Sequence, residues 1–172
     1  MLDLAIKYEE ILQKKFIDTW IDDKYKFFNS SSYHEKFGCS TTTWSKVEMV
    51  SLDKSDEVIG YFSYDIDRDA NRCYNLAIIN FSDNIITFGR DLYSFLESVF
   101  IKHNHRKLTF SVIIGNPIEK SYDKVCKKYN GRIVGVYKEH EKLTDGKYYD
   151  KKIYEILQED FMSVYKETKK LK

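Results

Sequence analysis

The chain has 172 residues, enough to bury a real core and of a size that favours one domain spanning 1–172. With 42% hydrophobic and 32% charged residues it has the make-up of a soluble globular protein, and one Pro with seven Gly argues against disorder or a linker. A formal net charge of +1 gives no electrostatic case for nucleic acid, which usually meets a strongly basic face.

The opening MLDLAIKYEE carries acids early and lacks the apolar core of a signal peptide. Leu4, Tyr8, Ile11 and Leu12 share one face of a helix predicted over 3–13. A second helical segment is predicted over 16–28, with Ile17, Trp20, Ile21 and Tyr25. The stretch 29–43 has little periodicity and is expected to be a surface loop.

Three strand-like runs follow. Trp44–Leu52 mixes apolar and charged residues as an edge strand would. Val58–Ile66 is rich in β-branched and aromatic residues, and Cys73–Phe81 is the third run. Turns at Lys54-Ser55-Asp56 and Asp67–Asn71 make them an antiparallel meander. After Ser82-Asp83-Asn84, a helix is predicted from Thr87 or Phe88, with Phe88, Leu92, Phe95, Leu96, Val99 and Phe100 inward. It ends at His103–Arg106.

Lys107–Ile114 is the next strand. A strand, a long helix and a strand imply a parallel pair. At Gly115-Asn116-Pro117 the period becomes helical. Asn116 suits the N-cap, Pro117 the first helical position, and Glu119 a capping box. Ile118, Tyr122, Val125 and Tyr129 then recur at helical spacing, and Asn130-Gly131 is the expected C-cap. Arg132–Leu143 and Lys147–Leu157 flank Thr144-Asp145-Gly146, a strong hairpin signal. A charged tail with helical character closes the chain, with Lys166–Lys172 expected to fray. The order α-α-β-β-β-α-β-α-β-β gives an α+β domain with a mixed sheet.

Cys39, Cys73 and Cys126 contain no CxxC pair, so neither a zinc site nor a disulfide framework is expected, and free thiols in a reducing cytosol fit best. No run reaches membrane-spanning length, so a cytoplasmic, soluble protein without a membrane partner is expected. His103-Asn104-His105 suits a helix C-terminus better than a metal. Asp65, Asp67 and Asp69 lack the Gly and Glu of a calcium loop, with Ala70 and Leu76 in those places, so they read as a turn.

The element order, with VIGYFSY at 58–64, Asn116, Tyr122 and Gly131, and KYYDKKIYEIL at the end, resembles the GNAT superfamily of N-acetyltransferases. The resemblance covers most of the chain. It implies a mixed, mostly antiparallel sheet whose central parallel strands, here Cys73–Phe81 and Lys107–Ile114, splay apart and admit the pantetheine arm of acetyl-coenzyme A. The family's pyrophosphate loop, Gln/Arg-x-x-Gly-x-Gly/Ala, is matched by Asn84-Ile85-Ile86-Thr87-Phe88-Gly89. Asn84 replaces Gln/Arg, Thr87 replaces the first Gly, and Gly89 is kept, with Arg90 beside it for a phosphate.

The resemblance further implies that Ile79, Asn80 and Phe81, the segment Asn84, Thr87, Phe88, Gly89 and Arg90, and also Asn116 and Tyr122, bind the coenzyme. Tyr122 would be the general acid that protonates the leaving thiolate, since a phenol with a pKa of about 10 arrives protonated. Direct transfer to the amine of an unidentified acceptor would need no metal. Each residue also has a structural role on its own chemistry: Asn116 as a cap, Tyr122 as a core aromatic, Gly89 and Arg90 as a solvated helix start. Glu57, Asp65 and Asp83 lie near strand ends and are read as surface acids. The departures in the 84–89 loop keep a second reading open, a GNAT-like binding or regulatory module without catalysis. Either form suits a homodimer.

Overall fold

A computed structural model describes residues 1–20, 22–28 and 37–170, with side chains up to 167. Among these residues, seven strands form one sheet: β1 (Leu2–Leu4), β2 (Lys46–Leu52), β3 (Val58–Asp67), β4 (Arg72–Asn80), β5 (Lys107–Ile113), β6 (Arg132–Lys142) and β7 (Tyr148–Leu157). Their order is β1-β2-β3-β4-β5-β7-β6. Four α-helices flank it: α1 (Glu9–Thr19), α2 (Ile85–Ile101), α3 (Glu119–Lys128) and α4 (Gln158–Lys170). All neighbouring strands run antiparallel except β4 and β5, which are parallel. The α+β class and the central parallel pair are as the sequence predicts.

Side-chain alternation divides the core between the two faces of the sheet. Tyr61 of β3 joins Val50, Leu52 and Ile79 beneath Leu12 and Phe16 of α1. Its neighbours Phe62 and Tyr64 face the other way, with Leu108, Phe110 and Tyr154, beneath α2, α3 and α4. The turns are local chemistry. Asp53 Oδ1 accepts from the N–H of Ser55 and Glu57. Asp67 Oδ1 accepts from Ala70 N–H, and Asn71 takes a left-handed φ of 47°. In the last hairpin Asp145 accepts from Lys147 N–H and Tyr149 Oη, and Gly146 has φ +77°.

Several boundaries differ from expectation. Residues 2–4 form a strand rather than the start of a helix, pairing with Met49–Ser51. A 3-10 turn over Ala5–Tyr8 follows, then one α-helix spans the expected gap between two helices. The second predicted helix reduces to a 3-10 turn at Asp23–Tyr25, capped by Asp22. Its Ile21, and residues 29–36 of the predicted loop, lie outside the described residues. With β1 beside it, β2 is not an edge strand, and Trp44 lies before it, exposed. At the end of α3 the left-handed residue is Asn130, with φ 52°. Gly131 serves close contact instead, since a Cβ there would come within 2.7 Å of Glu155 O. The tail forms α4, and its Phe161 is buried, stacking on Phe100 with centroids 4.6 Å apart. Leu171 and Lys172 lie outside the described residues.

Candidate active-site cleft

β4 and β5 pair only at Arg72↔Lys107 and Cys73↔Leu108. Beyond that point β4 stays beside β3 as far as Gly60↔Asn80, while β5 stays beside β7 as far as Ile113↔Lys151. The sheet therefore opens as a V. Asn75 marks the vertex. It has φ +54°, the β3–β4 register shifts between Ser63 and Asp65, and Asn75 Nδ2 donates to Asp65 at 2.8 Å. This β-bulge re-aims β4 where it leaves β5.

The V is the floor of a cleft of about 760 Å³ that reaches both faces of the sheet. Which backbone groups it exposes follows from ladder parity. Phe81 N–H donates to Ile59 O at 2.9 Å, so Phe81, Ile79 and Ala77 turn their amides to β3. Ile78 and Asn80 therefore turn theirs toward the cleft. On the other side Ile114 N–H donates to Asp150 O, so Ser111 and Ile113 face the cleft from β5. Among the described residues each lip of the V thus carries strand-type N–H donors without a ladder partner, while the Ile113 carbonyl accepts from Asn116 N–H.

The far wall is the α3 unit. Gly115, with φ +96°, turns the chain out of β5. Asn116 Oδ1 accepts from Ile118 N–H, and Glu119 Oε2 accepts from Gly115 N–H at 3.2 Å. The expected N-cap at Asn116, with Pro117 first in the helix, is therefore not formed: these bonds close a turn ahead of the α-helix, which begins at Glu119 after Ile118, a cap residue without a side-chain capping bond. Lys152 of β7 pairs with both Glu119 and Asp123, and Tyr154 Oη donates to Asp123 at 2.7 Å. These bonds fix the first turns of α3 against the sheet, and Tyr122 stands between them. Its ring meets Phe110 edge-on at 5.3 Å. Its hydroxyl makes no hydrogen bond among the described residues, and burial pushes its pKa up, so the phenol keeps its proton at neutral pH.

The sequence-predicted coenzyme residues divide. Ile79, Asn80, Phe88, Asn116 and Tyr122 line the cleft. Phe81 does not: its ring sits in the α1-side core against Phe16, at 5.5 Å. Asn84, Thr87, Gly89 and Arg90 lie on the first turns of α2, outside the lining. Helix α2 begins at Ile85, earlier than expected, because Asn84 Oδ1 caps Thr87 N–H. Gly89 has open space around it, and Arg90 turns to Asp91 at 3.4 Å. Ile85 and Ile86 are 72% and 84% exposed there.

Sequence reasoning missed Lys24, Tyr25, Phe27, Phe28, Glu141 and Lys151, which line the mouth on the α1 side. Glu141 is the one carboxylate among the described lining residues, and it pairs with Lys151 Nζ at 2.6 Å. The three acids considered from sequence lie elsewhere. Asp65 holds Asn75, Asp83 is fully exposed, and Glu57 sits in the β2–β3 turn. His105 is buried with Nδ1 against Asn71 Oδ1 at 3.0 Å, a structural contact. Among the described residues no three His, Cys, Asp or Glu side chains gather to hold a metal, and no helix is long and apolar enough to cross a membrane.

No family model matches this sequence, and a search of curated proteins finds no match. Solved structures do match. A spermidine N-acetyltransferase from Vibrio cholerae, in complex with CoA and spermine, superposes with a TM-score of 0.72 at 17% identity, covering 94% of this chain and 97% of that one. The spermidine/spermine N-acetyltransferase SpeG from Vibrio cholerae, in complex with manganese ions, gives 0.68 at 18% identity, with 95% of each chain covered. The chain has the acyl-CoA N-acyltransferase fold.

Proposed function

We propose that the protein is an N-acyltransferase that moves an acetyl or other acyl group from coenzyme A to the amine of an acceptor. The observation that carries this reading is the V between β4 and β5, whose lips expose the amides of Ile78, Asn80, Ser111 and Ile113. A pantetheine arm has amides at strand-like intervals and would complete both lips as a false strand. The two matched enzymes bear on the reaction class, since their names give a polyamine acceptor and one was solved with CoA.

The acceptor would approach from the α1 side, past Tyr25, Phe27 and Phe28. Its neutral amine nitrogen attacks the thioester carbonyl carbon. Ile78 N–H, aimed into the cleft, is placed to stabilise the oxyanion. The C–N bond forms, the C–S bond breaks, and Tyr122 gives its proton to sulfur. The surplus proton on nitrogen passes to Glu141, directly or through water; Glu141 releases it to solvent, from which Tyr122 is reprotonated. The products are an amide and the free thiol. At the start of α2 the capped helix end, with Arg90 beside it, would receive the pyrophosphate, though with one glycine fewer than the family pattern.

Three free cysteines, two of them buried, support a reducing, cytoplasmic setting. A homodimer through β6 is part of the same reading. This outer strand exposes Ile133, Val134, Val136 and Tyr137 along an edge that is unpaired among the described residues.

The test is thermal unfolding with and without acetyl-CoA. At one hundred times Kd the midpoint should rise by about 5–10 °C. An unchanged midpoint at millimolar coenzyme removes the reading. Spermidine is the first acceptor to assay. A coenzyme-induced shift without turnover on any amine would favour the non-catalytic alternative.

A further inference from the structure

A second chamber of about 120 Å³ lies on the α2/α3 face of the sheet. Leu92, Leu96, Phe100, Leu108, Phe110 and Val125 form its walls. It shares Leu76, Ile78, Ile118 and Tyr122 with the cleft, so the two spaces adjoin across the ring of Tyr122. Glu97 and Lys128 also border it, and the Lys128 ammonium is taken up over the rings of Tyr93 and Tyr129, at 5.0 and 4.9 Å. Buried oxygens and nitrogens that would hold water are scarce in such walls, and apolar chambers of this size stay dry and accept apolar guests.

We propose that this chamber receives the alkyl end of a short-chain acyl thioester, so that acyl groups of about four to six carbons fit better than acetyl. The proposal rests on the coenzyme reading above and adds the acyl class. Ile78 is the hinge of the argument. Its N–H faces the cleft, where a thioester carbonyl would sit, and its side chain, with that of Leu76, lines the chamber. An alkyl chain continuing from that carbonyl passes Leu76 and Tyr122 into apolar surroundings. At about 30 Å³ for each water-sized group, the chamber holds roughly four of them. An acetyl methyl leaves it unfilled, and wall atoms facing a void lose their dispersion contacts. A butyryl or hexanoyl tail restores them.

The test is calorimetric titration of the full chain with CoA, acetyl-CoA, butyryl-CoA and hexanoyl-CoA. Each methylene buried should tighten binding about fourfold, so butyryl-CoA should bind about fifteenfold more tightly than acetyl-CoA. Val125→Phe narrows the chamber from a position outside the cleft lining. It should bind CoA as before and lose the butyryl gain. Leu92→Phe repeats the test from the opposite wall should Val125→Phe fail to fold. Equal affinity for acetyl- and butyryl-CoA in a chain that binds CoA overturns the proposal and leaves the coenzyme reading intact. So does a butyryl gain that survives both substitutions. Failure to bind CoA at all overturns both.

Discussion

The ring of Phe88 lies against Gly60, so closely that a Cβ on Gly60 would come within 2.4 Å of Phe88 Cε2 and 3.1 Å of Ile79 O. One partner is on β3 and the other on the first turn of α2. Phe88 also stacks obliquely on Phe62 at 5.0 Å and lines the cleft. The glycine is therefore what lets the start of α2 settle onto the sheet beside the V.

Gly60→Ala should push Phe88 outward and destabilise the fold by about 1–3 kcal/mol, the usual cost of overfilling a close contact. Because the displaced ring borders the cleft, coenzyme affinity should fall as well. Phe88→Leu in the same chain should recover much of the stability. Urea unfolding of the three variants checks this. Additive losses would mean that the two positions do not meet.

Tyr122→Phe separates a catalytic phenol from a core ring. The hydroxyl has no described hydrogen-bond partner, so its removal should change stability by less than about 1 kcal/mol. Coenzyme affinity should hold, since the ring and its contact with Phe110 remain. Turnover should drop roughly 10²- to 10⁴-fold, the range for a lost general acid. Unchanged turnover would leave Tyr122 a packing residue.

What the sequence disclosed follows a physical line. Strand, turn and helix periods are local, so the meander, the α2 and α3 helices and the Asp145-Gly146 hairpin were all legible. Tyr122 and Asn116, which line the cleft, stand in a family-like pattern that singled them out; no pattern speaks to what they do there. The first strand was not. Leu4, Tyr8, Ile11 and Leu12 keep helical spacing, while the pairing of Leu2–Leu4 with a strand some 47 residues away leaves no local mark. Glu141 and Lys151 were hidden for the same reason. They meet at the cleft because β7 inserts between β5 and β6, an order that no spacing encodes. The free amides of the V depended on ladder parity, which shifts by one residue with the bulge at Asn75. The sequence could place that region only near Ile79–Phe81.

Glu155 ties down the closed end of the V. It is buried on β7 and pairs with Lys107, at the first of the two joined steps of β4 and β5, and with Arg132 of β6. The hydrogen bond from Lys107 is the main reason its pKa lies below the ordinary carboxylate value. Burial opposes that shift and Arg132 adds to it. A carboxylate depressed in the folded state stabilises above its unfolded pKa, and that contribution is lost as pH falls through the folded one. Glu155→Gln should therefore cost about 1–3 kcal/mol at neutral pH and much less near pH 3. Denaturant midpoints across that range measure it. A loss that stays constant with pH would assign the effect to packing instead of charge.

The outer edge of β6 gives the last prediction. Strand β6 has eleven residues, nearly all exposed, and pairs only with β7 among the described residues. Val134 and Val136 are 53% and 43% exposed, beside an unpaired row of N–H and C=O groups. Proteins usually blunt such an edge with charge or cover it. Lys138 is paired inward with Asp150 at 2.7 Å, and the valines carry no charge of their own. A second copy laid antiparallel would satisfy the backbone and bury the valines about a two-fold axis. The wild-type chain should sediment as a dimer at micromolar concentration. Val134→Lys with Val136→Lys should give a folded monomer with coenzyme affinity retained, because β6 valines lie outside the cleft lining. A wild-type chain that is monomeric under those conditions, or a double variant that still dimerises, would move the contact away from this strand.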